Sequence, residues 1–188
     1  MKTLKKTLSF FGWIILYFLI FSITECQAQL KQMSARDLTQ ESTDILYGKC
    51  SDIKSEWDNE QNIIYTYITV IPEAFVKGNQ NPEIVITVPG GRVGNIIYEV
   101  SEMPVFEPGE EVFTFLWKHP SGKNLVTGGY LGKLKIEKDR ITGERMISRS
   151  IPPSEDQPAK LKSLDTTTPE TDVVLLEDFI NEVKGYLK

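Results

Sequence analysis

Two pairs of carboxylates are the first residues of this sequence that could do chemistry. Glu110 and Glu111 are adjacent, and Asp58 and Glu60 share one polar stretch. General acid–base catalysis needs two carboxyl groups that flank a substrate in a cleft from which water is excluded. Both pairs lie beside Pro, Gly or Asn in predicted turns, where charge is ordinarily solvated. Oxygen ligands around Asp58 would suit calcium better, but the twelve-residue spacing of an EF-hand is missing, so we predict no metal site.

Cys50 and His119 are the candidates for nucleophilic chemistry. His119 is the only histidine and lies among turn residues, so a base beside Cys50 is not expected. The sequence contains no CxxC, HxxxH or HExxH pattern, which argues against the common zinc sites. The glycine-rich residues 89–94 precede a strand pattern, whereas a phosphate loop precedes a helix. We therefore predict a buried Cys50, no cofactor and no enzymatic activity.

The first 28 residues predict a secretory signal peptide. Lys2, Lys5 and Lys6 precede an apolar run over residues 8–23, and the small residues Cys26 and Ala28 follow it. This order is typical of cleavage after Ala28 and of export to the periplasm or the medium, with no membrane attachment afterwards. The alternative is an uncleaved anchor helix, because the apolar run approaches the ~17 residues that a short membrane span needs.

Cleavage would also change the charge and the cysteine count. It leaves 160 of the 188 residues, and the formal charge falls from −5 to −7 because 18 basic residues then face 25 acidic ones. An acidic chain argues against binding to nucleic acid, which needs a concentrated basic face. Cys50 would be the single remaining cysteine, so the domain must fold without an internal disulfide.

A series of short strands follows a polar lead over residues 29–42. Alternating β-branched and aromatic residues, separated by Gly and Pro, indicate strands at residues 43–57, 62–71 with a continuation through 72–78, 83–88, 93–100, 112–118 and 125–138. Gly48, in the middle of the first strand, predicts a bulge. This spacing is typical of a mainly β fold, a small antiparallel OB-like barrel or a sandwich, over residues 43–150.

The C-terminal residues have a different pattern. Residues 151–168 are rich in Pro, Ser and Thr and predict a linker. Thr168 as N-cap and Pro169 then predict an amphipathic helix over residues 169–188. Its apolar stripe comprises Val173, Leu176, Phe179, Ile180, Val183 and Leu187. The stripe would bind a partner protein or dock on the barrel of the same chain.

Aromatic strand residues are the candidates for ligand binding. Most aromatic side chains of a small barrel fill its core, but OB-type barrels also present one strand face to ligands. The four candidates are Trp57, Tyr65, Tyr67 and Trp117. With an acidic net charge, a glycan or a protein suits such a face better than a polynucleotide.

Several segments carry a resemblance to known proteins over residues 45–136. They read ILYGKCSDIKSEWDNEQNIIYTYITVIPEAFVKGN, ITVPGGRVG, FEPGEEVFTFLW and LVTGGYLGKLKI. In this order they resemble an uncharacterised family of exported bacterial β-barrel proteins. The architecture is also similar to the netrin-like and metalloproteinase-inhibitor-like OB barrels. Those inhibitors use an N-terminal cysteine to grip the protease zinc, whereas the predicted mature N-terminus here is Gln29, so only the fold is implied.

The sequence as a whole predicts an exported, non-enzymatic binding module for a protein partner or a glycan. The alternative is an inhibitor-like regulator of an exported protease. That alternative places the contact near Gln29 or the turn loops, whereas the binding module uses the strand aromatics or the C-terminal helix.

Overall fold

The structure is a computed structural model that describes residues 33–60, 62–149 and 172–188. The predicted signal peptide, its cleavage site, Gln29 and the predicted linker over residues 151–168 lie outside these residues. Within the described ranges, no helix is long and apolar enough to cross a bilayer.

Two helices and ten strands make up the described chain. In order they are α1 (Ala35–Glu41), β1 (Asp44–Trp57), β2 (Ile64–Lys77), β3 (Ile84–Pro89), β4 (Gly91–Val93), β5 (Ile96–Tyr98), β6 (Glu111–Lys118), β7 (Asn124–Val126), a 3-10 turn (Gly129–Gly132), β8 (Lys133–Lys138), β9 (Arg145–Arg149), β10 (Asp172–Leu175) and α2 (Leu176–Tyr186).

Five strands close into a barrel, which confirms the predicted mainly β fold. Their order is β1-β2-β3-β7-β6, and β6 pairs back onto β1 from Asp44↔Leu116 to Lys49↔Glu111. The pairings are antiparallel except at β3–β7, which run parallel at Ile86↔Asn124. Closure removes the exposed edges that an open sheet of these apolar strands would present.

Gly48 forms the predicted bulge in β1. The β1–β2 register shifts between Tyr47 and Gly48, where the strand bends to close the barrel. A side chain at this position would place its Cβ 2.3 Å from the carbonyl oxygen of Ile71, so the bulge requires glycine.

The apolar residues form two cores because β6 is buried on both faces. Val112 and Leu116 belong to the cluster inside the barrel, while Phe113 and Phe115 belong to a second cluster on its outer surface. The second cluster includes residues from α1, β8, β9 and α2, which cover this side of the barrel. Among the described residues, no element of the second cluster covers the other side of the barrel, over the first half of β2, β3 and β7.

Residues 29–42 were predicted only as a polar lead, and the helix within them was missed. Ser34 caps α1 in a capping box in which its side chain accepts from the backbone N–H of Asp37, and the Asp37 carboxylate accepts from the backbone N–H of Ser34. Leu38 is fully buried in the outer cluster. A single apolar face of two turns is too short to stand out as a periodic pattern.

The predicted start of the C-terminal helix was wrong. Thr168 and Pro169 lie outside the described residues, but Asp172–Leu175 is a strand that pairs with β9, and the helix begins at Leu176. Two β-branched residues, Val173 and Val174, fit a pleated edge, and β9 offers that edge. The residues of β9 were not predicted to form a strand, so this pairing could not be anticipated.

Two predicted strands also proved to be composite. Residues 93–100 do not form one strand: β4 and β5 form a hairpin around Gly94 and Asn95. Residues 125–138 are divided by the 3-10 turn, which separates β7 from β8. Glycines with positive φ stand at both breaks, at Gly94 and at Gly128 and Gly129.

Candidate functional site

Tyr65, Tyr67 and Trp117 lie on the outer surface of the barrel. On β2 the alternate residues Ile64 and Ile68 are fully buried, so Tyr65 and Tyr67 point to the opposite face. On β6 the inward residue Leu116 belongs to the interior cluster, which directs Trp117 outward. All three aromatic side chains are half-buried.

Strand register aligns two of these aromatic residues in one row across four strands. Tyr67 on β2 is paired with Thr87 on β3, and Trp117 on β6 is paired with Leu125 on β7. The parallel pairing of Ile86 with Asn124, continued by one residue, sets Thr87 beside Leu125. The row therefore runs from Tyr67 to Trp117 over three strand spacings, about 14 Å.

Lys123 reaches across this row to Tyr65. Its Nζ lies 3.6 Å from the centroid of the Tyr65 ring, a cation–π contact. Lys123 directly precedes β7, and Tyr65 is on β2, so the lysine side chain must cross β3, which lies between them. Thr87 on β3 is only 3% exposed. The contact places the ammonium group of Lys123 over the Tyr65 ring.

His119 lies beside Trp117 at the end of β6. The two rings meet edge to face with centroids 5.4 Å apart. The backbone N–H of Ser121 donates to His119 Nδ1 at 3.1 Å. Since Nδ1 accepts this bond, the neutral ring carries its proton on Nε2, where it is a donor. We call the set of Tyr65, Tyr67, Thr87, Trp117, His119, Lys123 and Leu125 the outer aromatic face.

Trp57 is not part of the outer aromatic face. It is paired with Ile64, and directly opposed residues of an antiparallel pair share one side of the sheet. Ile64 is fully buried, so Trp57 lies on the opposite side from Tyr65 and Tyr67. The structure thus brings together three of the four aromatic residues that the sequence indicated.

The apolar stripe of the C-terminal helix is docked on the chain's own barrel. Four of the six residues are buried, namely Leu176, Phe179, Ile180 and Val183. The Phe179 ring packs edge-on against Phe113, with centroids 5.0 Å apart. Val173 lies on β10 and is 53% exposed, and Leu187 is 39% exposed just after the helix. Of the two alternatives for this stripe, the docked one describes the structure.

Glu110 is not the solvated turn residue that its Pro-Gly neighbours suggested. It is 8% exposed, and its carboxylate accepts from Lys133 Nζ at 2.5 Å and from the backbone N–H of Glu107 at 3.1 Å. Its neighbour Glu111 is exposed. The two carboxylates therefore do not face one substrate, and Glu110 ties its loop to β8.

Cys50 is buried inside the barrel, as the sequence predicted. Burial raises the pKa of its thiol to about 11, the Glu110 charge adds to this, and Lys133 opposes it. A thiol with such a pKa is a poor nucleophile at neutral pH.

The carboxylate of Asp58 is used by its own turn. It accepts from the backbone N–H groups of Asn62 at 2.7 Å and Ile63 at 3.2 Å. Among the described residues no group of three or more His, Cys, Asp or Glu side chains is arranged to hold a metal ion.

A groove of about 240 Å³ opens beside the bulge in β1, with Tyr47, Lys49, Ile71 and Glu111 in its lining. Arg145 donates to Glu73 at 2.6 Å beside it, and its guanidinium lies 5.6 Å from the Tyr47 ring centroid. Burial and the Glu73 charge raise the pKa of Tyr47. The ion pair joins β2 to β9 and so links the barrel to the strands that extend from it.

Four members of the outer aromatic face were not indicated by the sequence as ligand-binding residues. His119 follows β6, and Thr87, Lys123 and Leu125 lie on β3, just before β7 and on β7; only the non-consecutive pairing of these strands brings the last three beside the aromatic residues. No spacing in the sequence carries that signal. No protein-family model matches this chain, and no curated protein matches it.

Proposed function

We propose that this chain is an exported, non-enzymatic binding module that binds a glycan on the outer aromatic face. The observation that carries the proposal is the row from Tyr67 to Trp117, which puts half-buried aromatic rings at both ends of a four-strand surface. OB-type barrels bind oligosaccharides and other extended ligands on one face of their strands.

The chemistry of the face suits a sugar. An aromatic ring offers a flat apolar surface to the C–H face of a sugar ring, while Tyr hydroxyls, Lys123 Nζ and His119 Nε2 offer polar groups to its hydroxyls. A row of about 14 Å accommodates a short oligosaccharide better than a single sugar.

The buried helix stripe favours the glycan over a protein partner. A helix with a free apolar face is a common protein-docking element, but Phe179 and Val183 are fully buried against the barrel. The outer aromatic face also carries the polar side chains of Lys123 and His119, which suit a hydroxyl-rich ligand.

Export to the periplasm or the medium is part of the same proposal. It rests on the basic, apolar and small-residue segments of residues 1–28, and it would place the barrel where cell-surface and extracellular glycans occur.

Isothermal titration of the chain from Gln29 with a panel of neutral and acidic soluble oligosaccharides tests the proposal. We expect at least one oligosaccharide to bind, and Tyr67→Ala to weaken it ten-fold or more, where ten-fold is about 1.4 kcal/mol. Tyr130→Ala is the matched control, because Tyr130 is 50% exposed on the 3-10 turn, away from the row. Absence of binding across the panel, or equal binding by Tyr67→Ala with an unchanged Tm, would contradict the proposal.

A further inference from the structure

The strand β5 of the β4–β5 hairpin consists entirely of exposed apolar and aromatic residues. Ile96, Ile97 and Tyr98 form β5, and their side chains are 53%, 58% and 40% exposed. Within the described residues β5 pairs only with β4, so its second edge is open. Protein sheets usually protect such an edge with Pro, Lys or a bulge, and β5 contains none of these.

The base of this hairpin is fixed to the barrel. The Thr66 hydroxyl donates to the Gly90 carbonyl at 2.7 Å, and the Gly90 N–H donates to the Ile64 carbonyl at 2.8 Å. A Cβ at Gly91 would lie 2.3 Å from Thr66 Oγ1, which shows how closely the backbone approaches β2. The barrel therefore presents β5 in a defined position.

The turn determines which backbone groups face outward. Gly94 and Asn95 form a two-residue loop between the paired residues Val93 and Ile96. In such a loop the flanking pair exchanges hydrogen bonds, so the next pair, Arg92 and Ile97, does not. The N–H and C=O of Ile97 therefore point away from β4, towards the open edge.

We propose that two copies of this chain pair antiparallel along β5, about a two-fold axis at Ile97. In this register Ile97 exchanges both backbone hydrogen bonds with Ile97 of the second copy, and Ile96 lies opposite Tyr98. Glu99 lies opposite Asn95, so no like charges are opposed. The result is a continuous four-stranded sheet, β4-β5-β5-β4.

The alternative two-fold registers are less favourable. An axis at Glu99 would set that carboxylate against its own copy, which is destabilising. An axis at Asn95 would move Ile97 beyond the turn of the second copy, where there is no strand. An axis at Ile96 would oppose Ile97 to Asn95, and an axis at Tyr98 would oppose it to Glu99, both outside β5. A second copy is therefore a better occupant than an unspecified peptide, because the axis at Ile97 sets all three residues of β5 opposite residues of β5.

The pairing is short, so it predicts a weak dimer. Interfaces that bury less than about 1,200 Å² are typical of transient contacts. The inference is independent of the glycan proposal, since β4 and β5 contribute no residue to the outer aromatic face.

Sedimentation equilibrium of the chain from Gln29, over concentrations up to about 500 µM, tests the dimer, because a contact of this size is expected in the micromolar range or weaker. We expect the mean mass of the wild type to rise with concentration towards that of a dimer. Ile97→Pro removes only an outward N–H, and Ile97→Lys opposes two charges at the axis, so both variants should remain monomeric.

Ile141→Lys is the matched control for the added charge, since Ile141 is 95% exposed in the turn between β8 and β9. It should dimerise as the wild type does, and an unchanged Tm of each variant shows that it is folded. A wild type that stays monomeric would overturn the proposal and leave the edge to another protein. Dimerisation of both Ile97 variants at wild-type strength would overturn it as well.

Discussion

At the residue scale, the ion pair of Glu110 and Lys133 shows how a charged group is kept inside this small domain. Their side chains are 3% and 14% exposed, and they lie 2.5 Å apart. A buried carboxylate depends on its counter-ion, because desolvation strongly disfavours an unpaired charge.

Lys133→Met should therefore destabilise the fold markedly. Among the described residues it leaves only the Glu107 N–H as a donor to the Glu110 carboxylate, and we expect a loss of about 3 kcal/mol in the free energy of unfolding, measured by urea denaturation. Lys135→Met is the control, because its ion pair with Glu137 is solvent-exposed and should contribute less than about 1 kcal/mol. Equal losses in the two variants would contradict this role for Glu110.

The thiol of Cys50 should be unreactive in the folded protein. Since the thiolate is the nucleophile, a pKa of about 11 predicts slow alkylation by iodoacetamide at about pH 8, and rapid alkylation after unfolding. The folded pKa lies above the ordinary value of 9.0, so the unfolded chain loses its proton first. Stability should thus fall as the pH rises from 9.0 to about 11, with no contribution from Cys50 below that window. Fast alkylation of the native protein at about pH 8 would refute the assignment.

The aromatic residues illustrate what the sequence can predict at this scale. Alternation alone placed Tyr65 and Tyr67 on one face of β2. It could not relate Trp57 to them, because the side that Trp57 faces depends on its pairing with Ile64 across the turn of the β1–β2 hairpin.

At the element scale, α2 is part of the apolar cluster on the outer surface of the barrel. Phe179 is fully buried and contacts both Phe113 and Phe115, with centroid distances of 5.0 and 6.3 Å. Its T-shaped contacts join the helix to the central strand of the sheet.

Phe179→Ala should destabilise the protein by about 3–5 kcal/mol, because it removes a large buried side chain and leaves a cavity. Leu187→Ala, at a residue that is 39% exposed, should cost less than about 1 kcal/mol. Thermal and urea unfolding measure both. A Phe179→Ala variant with a wild-type Tm would show that the helix is detached in solution.

The elements also show where local pattern is sufficient. Long strands with clear alternation, such as β1, β2 and β6, were predicted because period-two patterns are a local property. The bulge at Gly48 was predicted for the same reason. The strand β10 was not, since its conformation depends on β9, and α1 was not, since its helix has only seven residues.

At the scale of the whole molecule, the described residues cover one side of the barrel and leave the other side open. The two helices and the strands β8 to β10 extend the core over β1 and β6, while the outer aromatic face occupies β2, β3, β7 and the end of β6. A small barrel or a sandwich could be predicted from strand number and punctuation. The composition of the open face could not, because it requires the parallel contact between β3 and β7.

Tryptophan fluorescence tests the outer aromatic face most directly. The chain from Gln29 contains two tryptophans, Trp57 and Trp117, which lie on opposite sides of the sheet. Trp57→Phe leaves Trp117 as the single reporter in the face, and Trp117→Phe leaves Trp57 outside it. We expect a bound oligosaccharide to shift the emission of the Trp57→Phe protein in a saturable titration and to leave the Trp117→Phe protein unchanged. A saturable shift from Trp57 alone would place the ligand elsewhere and contradict the account.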